Sequence, residues 1–205
     1  MKKFVLLFSM LIIFWGIVGC SGKNPVKPPE EKSYAEFVED GWNAFQAKDY
    51  DAAIAHFLDA RDKANQIEAI AGLGWCYLVK GNLANANSVL NEGLSMSGNR
   101  EEIFSGLAFT RNGMKNFTVS NQFADSLLSA KPNWSFSNGL PLTVLSVYTL
   151  KSINYFLLGN FMDSLIWIQK VDGSFNPDIS TTEGMTALAQ KIESESFVLT
   201  GIFAQ

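Results

Sequence analysis

Lys48-Asp49-Tyr50-Asp51-Ala52-Ala53 and Gly81-Asn82-Leu83-Ala84-Asn85-Ala86 are two settings of one hexapeptide, 33 residues apart. Lys115-Asn116-Phe117-Thr118-Val119-Ser120 and Gly159-Asn160-Phe161-Met162-Asp163-Ser164 follow the same plan. Each place has a physical task. Gly at the first place tolerates the left-handed conformation that ends a helix, and Lys there fits less well. Asn or Asp at the second accepts backbone donors at the start of the next helix. The apolar third residue packs into the corner between helices. The small sixth residue lets two helices cross closely. The four copies predict four helix–turn–helix hairpins in an all-α chain.

The spacing and the residues around the hexapeptide resemble the tetratricopeptide repeat, a helical hairpin of about 34 residues. The second copy matches best, with Leu73, Gly74 and Tyr77, then Gly81, Ala86 and Leu90. The first has Gly41, Tyr50, Ala53, Phe57 and Ala60; the third has Gly106 and Phe109, then Phe117, Ser120 and Pro132. The fourth keeps Tyr155, Gly159, Phe161, Ser164 and Ile168, but Lys151-Ser152 replaces the usual Leu-Gly. The resemblance covers about Ser33 to Asp172 and implies an α-α solenoid of about four hairpins.

Two segments depart from the period. Lys131 to Gly139 reads as a loop carrying Trp134 and Phe136, and Leu140 to Leu158 as a long, nearly all-apolar helix. Lys151 and Asn154 argue against a membrane span, so that helix is expected to be buried from several sides. From Thr181, the stripe Met185, Leu188, Ile192 and Leu199 predicts a last helix, capped by Thr181 or Thr182. Solenoids need a cover for their open end, and this helix is placed to supply it.

At the other end, Lys2 and Lys3 precede an apolar run from Phe4 to Val18, which ends at Ile17-Val18-Gly19-Cys20. The run of about 15 residues is a secretory signal, short of the roughly 20 a membrane span needs. Its end resembles a bacterial lipobox, which implies lipidation of Cys20 and removal of the residues before it. Ser21 in place of Asp favours the outer membrane in the Gram-negative sorting pattern. Ser21 to Lys32 carries Pro25, Pro28 and Pro29 and reads as an extended tether. The expected organisation is a signal peptide over 1–19, lipidated Cys and tether over 20–32, repeat domain over 33–180 and capping helix over 181–205.

The formal net charge is −4, and loss of Lys2 and Lys3 leaves the rest more acidic. A nucleic-acid binder would need a basic stripe, so nucleic acid is not an expected partner. With Cys20 acylated, Cys76 is the only other Cys; it cannot form an intramolecular disulfide and reads as a small buried apolar residue. Residues suited to catalysis are sparse. His56 is the sole His, so no His pair forms a metal site. Asp49 falls on a capping position, which accounts for it and sets aside a metal pair with Asp51. Gly72-Leu73-Gly74 has no preceding strand or following phosphate-binding Lys. Glu36, Glu39 and Asp40 read as a solvated helix face. No cofactor is implied and the chain reads as a non-enzyme.

Binding residues are better represented. In the tetratricopeptide family the first helices line a concave groove, and residues after the repeat Gly face into it. By that resemblance Trp42, Trp75 and Leu107 follow Gly41, Gly74 and Gly106, and Phe45, Leu78 and Thr110 lie a turn later, with Arg111 next. Trp and Arg are enriched among interface anchors. The same Trp residues equally suit packing between neighbouring repeats. Family members that clamp a terminal carboxylate use Asn where Trp42 and Trp75 stand, so that specificity does not carry over. The expected function is a membrane-anchored envelope scaffold that binds a protein partner without catalysis. The alternative is a surface lipoprotein taking glycan or peptide on an aromatic groove, with the Trp134–Phe136 loop contributing.

Overall fold

The computed structural model describes residues 31–203. The signal stretch 1–19, Cys20 and the tether up to residue 30 lie outside the described residues. Eight helices pair as hairpins: α1 (Tyr34–Gln46) with α2 (Tyr50–Lys63), α3 (Ile67–Val79) with α4 (Leu83–Gly93), α5 (Glu101–Gly113) with α6 (Phe117–Ala130), and α7 (Val144–Leu157) with α8 (Phe161–Gln169). A ninth, α9 (Thr182–Phe203), follows. Among the described residues there is no strand, only an isolated bridge between Ser135 and Thr143.

The hexapeptide builds all four hairpin turns in one way. Its first residue is left-handed each time, with φ 61° at Lys48, 72° at Gly81, 59° at Lys115 and 75° at Gly159. The next amide reaches back five residues: Asp49 N donates to Ala44 O, Asn82 N to Tyr77 O, Asn116 N to Arg111 O and Asn160 N to Tyr155 O, at 2.8–2.9 Å. This is the Schellman closure, which satisfies carbonyls left open at a helix end. Asp49, Asn82 and Asn160 then cap the following helices, accepting from Ala52 N, Asn85 N and Asp163 N. Asn116 occupies the same place without a side-chain cap bond.

The sixth residues, Ala53, Ala86, Ser120 and Ser164, are all fully buried. In the third and fourth hairpins the small residue is Ser, and its hydroxyl spans the crossing. Ser120 Oγ donates to Ala108 O at 2.7 Å, and Ser164 Oγ donates to Ser152 O at 2.9 Å. Opposite these residues the repeat Gly gives room. A Cβ on Gly74 would stand 2.3 Å from the Leu90 side chain, so the hairpin is set by backbone meeting side chain.

The odd helices α1, α3, α5 and α7 touch their successors, whereas α2, α4, α6 and α8 pack only against odd-numbered neighbours. The odd helices therefore form the inner layer, and α3 is buried along nearly its whole length. In the upper hairpins polar side chains join the layers. Asn154 Nδ2 donates to Ser120 Oγ and to Asn121 Oδ1, both at 2.8 Å, and Asn112 Nδ2 donates to Asn154 Oδ1 at 2.7 Å. Lys151 is buried on α7, where its ammonium pairs with the Asp125 carboxylate and lies 3.9 Å from the centre of the Trp167 ring. Burial pushes the Lys151 pKa down, and Asp125 opposes that shift.

One boundary differs from the sequence reading. The apolar helix expected from Leu140 begins at Val144, because Pro141 interrupts and Thr143 forms a capping box with Ser146. The preceding loop is correspondingly longer. At the last helix Thr181 is the capping residue, its hydroxyl accepting from Gly184 N at 3.0 Å. Leu188 and Ile192 on α9 pack with Leu165 and Ile168 of α8, covering the end of the array. Leu199 and Ile202 join the main core, so the helix also runs back to α3.

Candidate functional site

The inner face is where a hairpin solenoid offers a concave surface, and here the chain fills much of it with its own residues. After α6 the chain turns over the face: Trp134 N donates to Lys131 O at 3.1 Å, and Phe136 N to Leu142 O at 2.9 Å. The Lys131 ammonium pairs with Glu101 Oε2 at 3.0 Å, fastening the loop base to α5. These bonds deliver the Phe136 ring to 4.4 Å from Trp75 and 6.0 Å from both Trp42 and Phe45, centre to centre. Trp134 stands 6.4 Å from Phe136 with its ring inclined. Such tilted and edge-on arrangements suit the ring quadrupoles.

The expected groove residues are accordingly interior ones. Trp75 and Leu107 are 0% exposed, Phe45 and Leu78 2%, Trp134 1% and Phe136 6%. The Trp75 indole donates to Glu102 O at 2.9 Å, which ties α3 to the start of α5. Trp42 and Arg111 are half-buried, and the structure does not bring them to a shared opening with the others. The expected aromatic wall exists, but it is covered. The rings recur because the first two repeats each present a Trp, Trp42 and Trp75, to the space the loop enters. The loop supplies the ring that fills that space, so the Trp134–Phe136 pair is interior rather than an outward-facing loop site.

Glu102 lies where α3, α5 and this loop meet. Burial pushes its carboxyl up to about 7, while the Ser105 hydroxyl favours the charged form and so moderates the rise. The Cys76 thiol is pushed up to about 12 by burial and stays protonated. A protonated, buried thiol is a poor nucleophile. His56 is half-buried on α2. Among the described residues no group of three or more His, Cys, Asp or Glu is placed to hold a metal ion, and no helix is long and apolar enough to cross a membrane.

Beyond the loop, towards the later repeats, the inner face is open. Between α3, α5, α7 and α9 lies a cavity of about 680 Å³, walled by Leu78, Phe109, Leu150, Ile153, Phe156 and Ile192. Of these, only Leu78 is among the binding residues the sequence suggests. The signals for the rest were the all-round apolarity of α7 and the stripe on α9, which mark burial without distinguishing a packed wall from a cavity wall. A second feature is external. Leu157 (57% exposed) ends α7 and Leu158 (47%) follows it as the cap, and Met162 (59%) and Ile166 (45%) lie one turn apart on α8.

No protein-family model and no curated protein matches the sequence. Among solved structures, a tetratricopeptide repeat protein from Parabacteroides merdae ATCC 43184 is similar, with a TM-score of 0.57 and 16% identity, over 85% of this chain. The chain spans 65% of that protein's length. The fold is an all-α, tetratricopeptide-like solenoid.

Proposed function

We propose that this chain is a lipid-anchored envelope lipoprotein that binds a protein partner without catalysing a reaction. The observation that carries the reading is the exposed apolar row Leu157, Leu158, Met162 and Ile166 on a hairpin array of scaffold type. Met162 and Ile166 are four residues apart and share a helix face. Clustered exposed apolar side chains mark interaction surfaces, whereas scattered ones are ordinary. Anchoring rests on Ile17-Val18-Gly19-Cys20, and the Pro-rich segment after it would hold the domain near the bilayer. In this reading the partner meets the α7–α8 hairpin, since Phe136 covers the aromatic wall expected to receive it.

The test combines capture with folding. Photo-crosslinking from position 162 in native envelopes should trap a partner, and Met162→Asp with Ile166→Asp should lower capture by about tenfold or more at an unchanged Tm. Undiminished capture by the double variant would place the interface elsewhere. Separately, labelled fatty acid should enter the native chain and be missing from Cys20→Ala; equal labelling of both would refute the anchor.

A further inference from the structure

We propose that the cavity between the inner helices and α9 binds a single-chain amphiphile, a long alkyl chain with an amino head. Of the external row, Leu157 alone also borders this site; the rest of the lining belongs to the inner helices and to α9, which closes one side. Its volume of about 680 Å³ falls within the range of small-ligand sites. Its lining is mostly apolar side chains, with Asn112, Glu193 and Ser196 the polar ones, and this disfavours ligands that must be hydrogen-bonded along their length. Two of these polar groups already donate within the protein: Asn112 Nδ2 to Asn154 Oδ1 at 2.7 Å, and the Ser196 hydroxyl to the Glu193 carbonyl at 2.8 Å. A sugar or a peptide backbone inside would leave many of its own donors and acceptors unpaired, which disfavours its burial there. An alkyl chain asks for no such partners, and apolar cavities of this kind take up apolar molecules in preference to water.

Charge selects the head. Among the residues around the cavity, Glu193 is the only ionisable one, and it is exposed. Its carboxylate attracts an ammonium and repels the carboxylate of a fatty acid. Leu157, more than half exposed, is a lining residue open to solvent, and Ala189 on α9 leaves room that a larger side chain would fill. Both positions can be altered without removing a core residue.

The full chain in native envelopes is exposed to dodecylamine bearing a diazirine in its chain, or to the matching dodecanoate, then irradiated and mapped by mass spectrometry. The amine probe should label peptides of α7 and α9, about tenfold more than the carboxylate probe, and excess dodecylamine should compete it away. Ala189→Trp should abolish that labelling. Glu193→Lys, at an exposed position, should reverse the preference towards dodecanoate, and it keeps the test decisive if Ala189→Trp fails to fold. Equal labelling by both probes, or a preference that Glu193→Lys leaves unchanged, would overturn the proposal. So would label concentrated on Met162 and Ile166, because that reports adsorption to the outer apolar row.

Discussion

Glu102 shows how one residue inherits its chemistry from its neighbours. It sits on the first turn of α5, beneath Trp134 and beside the indole bond from Trp75. Its carboxyl titrates at about 7, against 4.5 for the unperturbed group. The unfolded chain therefore releases this proton first, so stability falls as pH rises from about 4.5 to about 7 and levels off above. The shift corresponds to at most about 3 kcal/mol. Glu102→Gln should raise the Tm near pH 8 and flatten the slope between roughly pH 5 and 7, as read from melting curves. A variant that keeps the native slope would show that another group drives it.

At the level of the helical hairpin, the four turns form an internal comparison. Each begins with a left-handed residue, but two carry Lys and two carry Gly. A side chain in that conformation costs about 1–2 kcal/mol. Lys48→Gly and Lys115→Gly should each stabilise the protein by about 1 kcal/mol, and Gly81→Ala and Gly159→Ala should destabilise it similarly. A Cβ at Gly81 or Gly159 would meet no atom within 4 Å, so those losses report backbone conformation rather than crowding. Urea denaturation resolves differences of this size. The same turn also explains why the third and fourth repeats tolerate Ser at the crossing. Its hydroxyl bonds a carbonyl of the preceding helix, so the buried polar group is satisfied.

Across the whole molecule, the inner face is shared among three occupants. The 131–143 segment fills the end beside α1 and α3, α9 crosses the other end, and the apolar cavity lies between α9 and the inner helices. This gives α9 two duties, since Leu188 and Ile192 cover α8 while Leu199 and Ile202 reach the main core. Deleting residues from Thr181 onward should uncover Ile153, Phe156 and Leu165 together and cause aggregation, followed by light scattering and by loss of helicity. A soluble, monomeric truncation with undiminished helicity in residues 31–180 would show that α9 is an appendage.

How much of this was legible beforehand follows from the range of each interaction. The hexapeptide determined the turns, the caps, the hairpins and the small-residue crossings, because left-handed closure, capping and close approach act within a few residues along the chain. Lys151 and Asn154 likewise told against a membrane span, and the structure finds both buried with polar partners. The fate of Trp42, Trp75 and Arg111 was not legible. A ring that follows a repeat Gly points inward whether the space it faces holds a partner or another part of the same chain. Only the tertiary structure decided that, by folding the Trp134–Phe136 segment back over α1 and α3 and leaving the cavity under α9. Those contacts join residues some 60 to 100 positions apart in the chain, and no local pattern of apolar residues specifies which distant ring will fill which gap.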